Sequence, residues 1–125
     1  MHQIFDSTEN YLEAIVKLTQ EHGHVRSIDL ANFFDISRAS VSNAVKKMEE
    51  ENYVLMAKDG SLTLTPSGRN LGESIYDRHL TLRKFLLSIG VDEKTADEDA
   101  CRIEHAISAE TFSHLKDYLK ENKIL

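Results

Sequence analysis

Cysteine, proline and tryptophan are rare or absent, since the 125 residues include one cysteine, one proline and no tryptophan. A single cysteine cannot build a disulfide framework, which fits a reducing compartment. No apolar run reaches the ~18 residues of a membrane span, and the N-terminal stretch lacks the basic and apolar regions of a signal peptide. We therefore expect a cytoplasmic protein without a membrane segment.

Positive charge is also in short supply, because 15 Lys and Arg stand against 21 Asp and Glu, a net charge of -6. This balance argues against a protein coated with nucleic acid. It leaves room for a locally basic surface, because phosphate contacts depend on where the cations lie. With 41% hydrophobic residues, the chain can build one compact domain, or a small domain with an appended helical part.

Hydrophobic periodicity predicts a mainly α-helical chain. The predicted helices cover residues 8–21, 28–34, 38–52, 66–89 and 93–107, and a last one starts after residue 108. Helix-capping residues precede each start: Asp6 or Ser7, Ser27, Ser37, Thr65, Asp92 and Ser108. Pro66 stands at the first helical position, where its missing N–H costs nothing.

The second and third helices, separated by a short turn at residues 35–37, have helix-turn-helix spacing. The outward side of the third helix carries small hydrogen-bonding residues and cations: Ser37 at its cap, then Arg38, Ser40, Ser42, Asn43, Lys46 and Lys47. Such a mixture suits reading base edges while holding phosphates. A solvated helix face that binds no nucleic acid would show the same pattern, so both interpretations stay open at this point.

Two strand-like stretches, residues 53–58 and 61–65, flank Asp59-Gly60, a strong hairpin signal. A two-stranded hairpin directly after a helix-turn-helix predicts a winged helix. Lys58 would lie near the tip of this wing, within reach of a phosphate, although ordinary hairpins also carry lysine there.

The fifth helix carries Cys101, Glu104 and His105 on one side, because about 100° separates successive residues. Thiolate, carboxylate and imidazole together suit a transition metal better than calcium or magnesium. An ordinary polar helix surface is the alternative. The only plausible domain boundary falls within the long fourth helix, which divides the chain into residues 1–72 and 73–125.

Taken together, the order of elements and five short motifs resemble the diphtheria toxin repressor family, the iron- and manganese-dependent transcriptional repressors of bacteria. The motifs are STENYLE at 7–13, SRASVS at 37–42, LTPSGR at 64–69, RH at 78–79 and DACRIEH at 99–105. The combination is specific, although each motif alone is not. Because the chain is short, it resembles the manganese transport regulator branch in particular.

The resemblance implies a set of metal ligands: Cys101, Glu104 and His105, with His79 from the long helix and with Glu13 and Asn10 from the first helix. Asn10 stands where the manganese branch has aspartate and the iron branch methionine, and it offers only a neutral carbonyl oxygen. Without the resemblance, Glu13 would be interpreted as a surface acid and His79 as a buried histidine.

Two further positions depart from the iron branch. Arg83 and Asp97 stand where that branch has the glutamate and histidine of a second metal site. Because arginine cannot bind a metal, we do not expect this second site in the same form.

The implied function is a metal-dependent DNA-binding repressor that acts on metal-homeostasis genes. We expect residues 1–72 to bind DNA and residues 73–125 to bind metal and dimerise, so that a homodimer reads a palindromic operator. Fe²⁺ is slightly favoured over Mn²⁺ because Cys101 is a soft ligand, and Zn²⁺, Co²⁺ or Ni²⁺ should bind in vitro. The alternatives are a metal-independent winged-helix regulator that responds to an organic ligand or a protein, and, less favoured, a small metalloenzyme with Glu104 as its base.

Overall fold

The computed structural model describes residues 8–125, so the predicted caps Asp6 and Ser7 lie outside it. The described chain forms two compact units, residues 8–76 and residues 77–125. Its helices are α1 Thr8–His22, α2 Ser27–Phe34, α3 Arg38–Glu50, α4 Pro66–Ser88, α5 Glu93–Ala106 and α6 Ala109–Glu121. Its strands are β1 Val25–Arg26, β2 Val54–Met56 and β3 Ser61–Leu64. The mainly helical winged helix-turn-helix fold is thus confirmed.

The first unit is built around an apolar core. Its innermost side chains come from all three N-terminal helices and from the sheet: Leu12, Ile15, Leu30, Val41, Val45, Met48 and Val54. The start of α4 packs very closely on this core, because a Cβ at Gly68 would collide with the carbonyl oxygen of Tyr53. A Cβ at Gly72 would come within 2.9 Å of the carbonyl oxygen of Leu12. Both glycines therefore serve close packing.

The helix-turn-helix forms with one difference at its start. Arg26, not Ser27, is the N-cap of α2, and its backbone N–H donates to Asp29 Oδ2 at 2.8 Å. Asp29, the third residue of the helix, therefore accepts the backbone N–H of the N-cap residue, and Ser27 becomes the first helical residue. Ser37 caps α3 as predicted, since its side chain accepts the Ser40 N–H at 3.1 Å. The end of α3 comes earlier than predicted, because Asn52 has a φ of 64° and leaves the helix.

The wing contains the predicted hairpin and one additional strand. β2 and β3 pair antiparallel, with Met56 opposite Leu62, and Gly60 supplies a φ of 88° in the turn. The Ser61 N–H donates to Asp59 Oδ1 at 2.9 Å, and this bond holds the pKa of Asp59 below its usual range. β1 pairs with the other edge of β3, which gives the order β1-β3-β2 instead of the predicted two strands. A two-residue strand is too short to produce a periodic signal.

The second unit consists of α5, α6 and the part of α4 that follows Tyr76. Its helices are joined by side chains of α4: the Lys116 ammonium of α6 donates to Asp77 Oδ2 at 2.7 Å. Ser108 caps α6 as predicted, by accepting the Thr111 N–H at 3.1 Å. Asp92 is the N-cap residue of α5, but its side chain makes no capping bond. Within residues 8–125, no helix combines the length and apolarity needed to cross a bilayer.

Candidate metal centre and DNA-reading face

Cys101, Glu104 and His105 converge on one side of α5. Each offers one ligand atom, and these atoms lie within 4.8 Å of one another. The spacing of three and four residues places them on successive turns, and Ala96 and Ala100 extend the same buried stripe. Cys101 and Glu104 are buried, whereas His105 is partly exposed. The cluster predicted from the sequence therefore exists as a compact set of sulfur, oxygen and nitrogen donors.

Glu104 is the centre of this cluster and is completely buried. Its Oε1 lies 2.8 Å from Nδ1 of His79, and its Oε2 lies 3.8 Å from Nε2 of His105. An ionised carboxylate is costly to bury unless positive charge or hydrogen-bond donors surround it. Two imidazoles and a thiol around one carboxylate form a donor set that a divalent transition metal fits.

His79 brings α4 into the cluster and has a second acidic neighbour. The ring is buried, and its Nε2 lies 3.6 Å from Oδ1 of Asp97 on α5. The same Asp97 oxygen accepts the Nε–H of Arg83 at 2.7 Å. Arg83 and Asp97, the two departures from the iron branch, thus form an ion pair with each other.

Arg78 ties the same helices together through backbone groups, a role that the sequence did not reveal. One guanidinium nitrogen donates to the carbonyl oxygens of Glu104 and Ile107, at 3.1 and 3.0 Å. These carbonyls belong to the end of α5, where helical partners are missing. The guanidinium also lies over the Phe112 ring, 5.5 Å from its centroid. Because no spacing rule predicts a contact between residues 78 and 104, only the motif at 78–79 marked this residue.

Asn10 and Glu13 lie on α1, in the first unit, one helical turn apart. Asn10 is buried and Glu13 is partly exposed. Within this unit, burial is the main cause that raises the pKa of Tyr76, and the negative charges of Glu21 and Glu13 raise it further. Glu13 is therefore near α4, while its assignment and that of Asn10 as ligands stay predictions.

The outward side of α3 is exposed along its whole length. The exposed residues include every predicted position: Ser37, Arg38, Ser40, Ser42, Asn43, Lys46 and Lys47. Val41, Val45 and Met48 point into the core instead and fix the direction of this surface. Lys58 is exposed in the wing turn, as predicted.

The sequence missed two residues beside this surface. Ala39 is exposed at the second position of α3, where a small apolar side chain can contact a thymine methyl. Arg26 is exposed on β1, opposite Ser61 and next to the wing turn. The position of Arg26 beside the wing was not predicted, because β1 itself was not predicted.

Comparison with known families gives a match along nearly the whole chain. Residues 3–62 match the iron-dependent repressor N-terminal DNA-binding domain. Residues 65–124 match the iron-dependent repressor metal-binding and dimerisation domain. The chain belongs to the iron-dependent repressor family.

Individual relatives agree with this assignment. The chain is 36% identical over 119 residues to an uncharacterised HTH-type transcriptional regulator of Methanocaldococcus jannaschii, covering 94% of this chain and 95% of the relative. It is 34% identical over 114 residues to the HTH-type transcriptional regulator MntR of Bacillus pumilus, covering 91% and 79% of the two chains.

Solved structures of similar fold include the manganese regulator SloR, with a TM-score of 0.82 and 27% identity over 94% of this chain. Another is a manganese-dependent transcriptional repressor in complex with manganese, with a TM-score of 0.81 and 27% identity over 91% of this chain. The chain spans about half the length of these two solved proteins, 55% and 53%.

The family assignment decides between the classes of function that the sequence left open. The repressor has the DNA-binding and metal-binding domains of a metal-dependent transcriptional repressor, and its relatives are regulators, not enzymes. The metalloenzyme alternative, with Glu104 as a general base, is therefore set aside.

Proposed function

We propose that a divalent transition metal activates the repressor for DNA binding, and that the metal binds beside the buried Glu104. The observation that carries this proposal is a carboxylate without solvent exposure that has an imidazole on either side and a cysteine on the same helix face. The proposed ligands from the second unit are Cys101, Glu104, His105 and His79. On the resemblance alone, Glu13 and Asn10 of α1 are proposed to complete the set.

Fe²⁺ is proposed as the physiological metal, ahead of Mn²⁺. The Cys101 ligand atom lies within 4.8 Å of those of Glu104 and His105, and a thiolate ligand favours later and softer metals than Mn²⁺. Mn²⁺ is the second candidate, because two solved relatives are named for manganese and Glu104 and Glu13 are hard oxygen ligands. When bound, the metal supplies positive charge beside the Glu104 carboxylate.

The proposed DNA-reading residues are the N-cap Ser37, Lys58 of the wing and six residues of α3, namely Arg38, Ser40, Ser42, Asn43, Lys46 and Lys47. Residues near the start of a recognition helix contact base edges, while cations further along hold phosphates. Metal can favour the DNA-competent state only through its greater affinity for that state. Because the N-terminal domain of its family binds DNA, a cytoplasmic location is proposed.

A homodimer and a palindromic operator are proposed together. The family's C-terminal domain is a dimerisation domain, and a two-fold dimer reads two inverted half-sites. The apolar side chains proposed for the dimer contact are Leu80, which is exposed, and Ile103, Ile107 and Leu115, which are partly exposed. Phe112 is a weaker candidate, because it is buried and lies beneath the Arg78 and Lys116 cations.

DNA selection in the presence of metal tests this proposal. Duplexes from a random-sequence pool would be selected under anaerobic conditions with Fe²⁺ and, in parallel, with Mn²⁺. Affinity for the selected duplex should rise about 5–150-fold between chelator and saturating metal, the usual range for coupling between two sites. The selected sequences should be inverted repeats.

Each part of the proposal can fail separately. Equal affinity with chelator and with saturating metal would favour the metal-independent regulator. A larger response to Mn²⁺ than to Fe²⁺ at equal free concentrations would contradict the iron assignment alone. Selected sites without two-fold symmetry would contradict the palindromic operator.

A further inference from the structure

Asp97 on α5 is shared between a proposed metal ligand and a fixed cation. Its Oδ1 lies 3.6 Å from His79 Nε2 and 2.7 Å from Arg83 Nε. His79 itself lies between two carboxylates, because its other nitrogen, Nδ1, is 2.8 Å from Glu104 Oε1. Both ring nitrogens of this buried histidine therefore face acidic side chains of α5.

The two nitrogens of the His79 ring have different surroundings. Nδ1 points to the buried side, where Glu104 is fully enclosed, and Nε2 points to Asp97, whose side chain is 44% exposed. An imidazole that binds a metal through one nitrogen usually donates its other N–H to a carboxylate or carbonyl, which fixes the tautomer and the ring orientation. Asp97 stands where that second partner is needed.

Arg83 determines where the Asp97 carboxylate points. The guanidinium also comes within 4.0 Å of Glu93, so it is held by two acids of the first turns of α5. Arginine keeps its charge at all physiological pH values. A permanent cation against Oδ1 opposes a second metal at the same oxygen, which leaves Asp97 available to orient His79.

We propose that Asp97, held by Arg83, is a positioning residue that orients His79 for metal binding. The separation of 3.6 Å exceeds a hydrogen bond, which needs about 3 Å. A small rotation of the His79 ring or of the Asp97 carboxylate would close this gap when Nδ1 binds the metal. This inference rests on the proposed function of His79 as a ligand.

A double-mutant cycle on the full-length repressor tests the inference. Co²⁺ and Mn²⁺ affinities would be measured for the unsubstituted chain, Asp97→Ala, His79→Ala and the double variant. Asp97→Ala should lower metal affinity 10–100-fold, the usual effect of losing such a partner. In the His79→Ala background, the same substitution should change affinity less than twofold, because Asp97 acts through His79.

Two matched variants separate positioning from general damage. Asp99 lies two residues away on α5 and has similar exposure, 43%, but pairs with Arg102 at 2.9 Å. Asp99→Ala should leave metal affinity within twofold of the unsubstituted chain. Asp97→Glu should recover part of the affinity lost in Asp97→Ala. The visible Co²⁺ spectrum should change in Asp97→Ala and not in Asp99→Ala.

The outcomes also distinguish this inference from the proposed function. If the unsubstituted chain binds neither metal, the proposed function fails and the inference fails with it. If the chain binds metal and Asp97→Ala binds equally well, the inference alone is overturned. An equal loss on adding Asp97→Ala to His79→Ala would likewise overturn it, since Asp97 would then act independently of His79.

Discussion

The two units of the repressor use their buried positions in opposite ways. In residues 8–76 the enclosed side chains are almost all apolar, from Leu12 and Ile15 to Val54. In residues 77–125 the fully buried large side chains are Leu82, Leu119 and Glu104. The second unit therefore places an acid where the first would place a leucine or valine.

This difference gives the two units different roles: the first holds a stable DNA-reading surface, and the second responds to metal. Apolar burial contributes about 25 cal/mol per Å² whatever the metal concentration, so the first unit can present α3 rigidly. A buried carboxylate flanked by imidazoles responds strongly to an added cation, because local charges interact more strongly away from water. The second unit also leaves Leu80, Ile89 and Tyr118 at least 43% exposed, apolar surface that a partner can cover.

The largest effect on stability is expected from shortening a side chain in the apolar core of the first unit. Leu30 is fully buried, so Leu30→Ala should lower the free energy of unfolding by about 2–5 kcal/mol. Urea unfolding monitored by circular dichroism measures the loss. The loss should be the same with and without metal, and a loss that metal abolishes would break the comparison between the two units.

A second prediction concerns the buried acid of the other unit. Glu104→Gln keeps the side-chain volume and removes the charge. At a metal concentration of 100 times Kd the unsubstituted chain should gain about 2.7 kcal/mol of stability, and the variant should gain almost none. Urea unfolding with and without Mn²⁺ measures both gains, and equal gains would rule out Glu104 as a ligand.

The reading surface should respond to mutation without affecting the metal site. Arg38→Ala removes an exposed cation at the first position of α3 and should weaken binding to the selected duplex by about 1–3 kcal/mol. Fluorescence anisotropy measures DNA affinity, and metal affinity should stay unchanged. Lys120→Ala, an exposed cation on α6, is the control. An equal fall in metal affinity for Arg38→Ala would contradict the separation of roles.

The smallest effect is expected at the cap of α3. Ser37 accepts the Ser40 N–H, and Ser37→Ala should lower the free energy of unfolding by about 1 kcal/mol. Thermal unfolding measures this loss. Ser42→Ala, an exposed serine inside the same helix, should change stability much less. If the two variants lost equal stability, the capping bond would not account for the start of the reading helix.

The sequence predicted most features that depend on neighbouring residues, apart from the cap of α2 and the end of α3, and it missed those that depend on distant residues. Helix bounds, the Ser37 and Ser108 caps and the convergence of Cys101, Glu104 and His105 all follow from local spacing. The pairing of β1 with β3, the Arg78 bonds to Glu104 and Ile107, and the Arg83–Asp97 ion pair join positions that are far apart in the chain. Sequence periodicity does not reveal such contacts, because they form only when distant elements pack together.

The metal response of DNA binding in His105→Ala tests the central claim most directly. His105 is a proposed ligand at the edge of the Glu104 cluster, and His114, exposed on α6, provides a matched control. DNA affinity would be measured with chelator and with saturating Fe²⁺ or Mn²⁺. We expect His105→Ala to remain folded and to lose the metal-stimulated increase, while His114→Ala keeps it. A full metal response in His105→Ala would contradict the account.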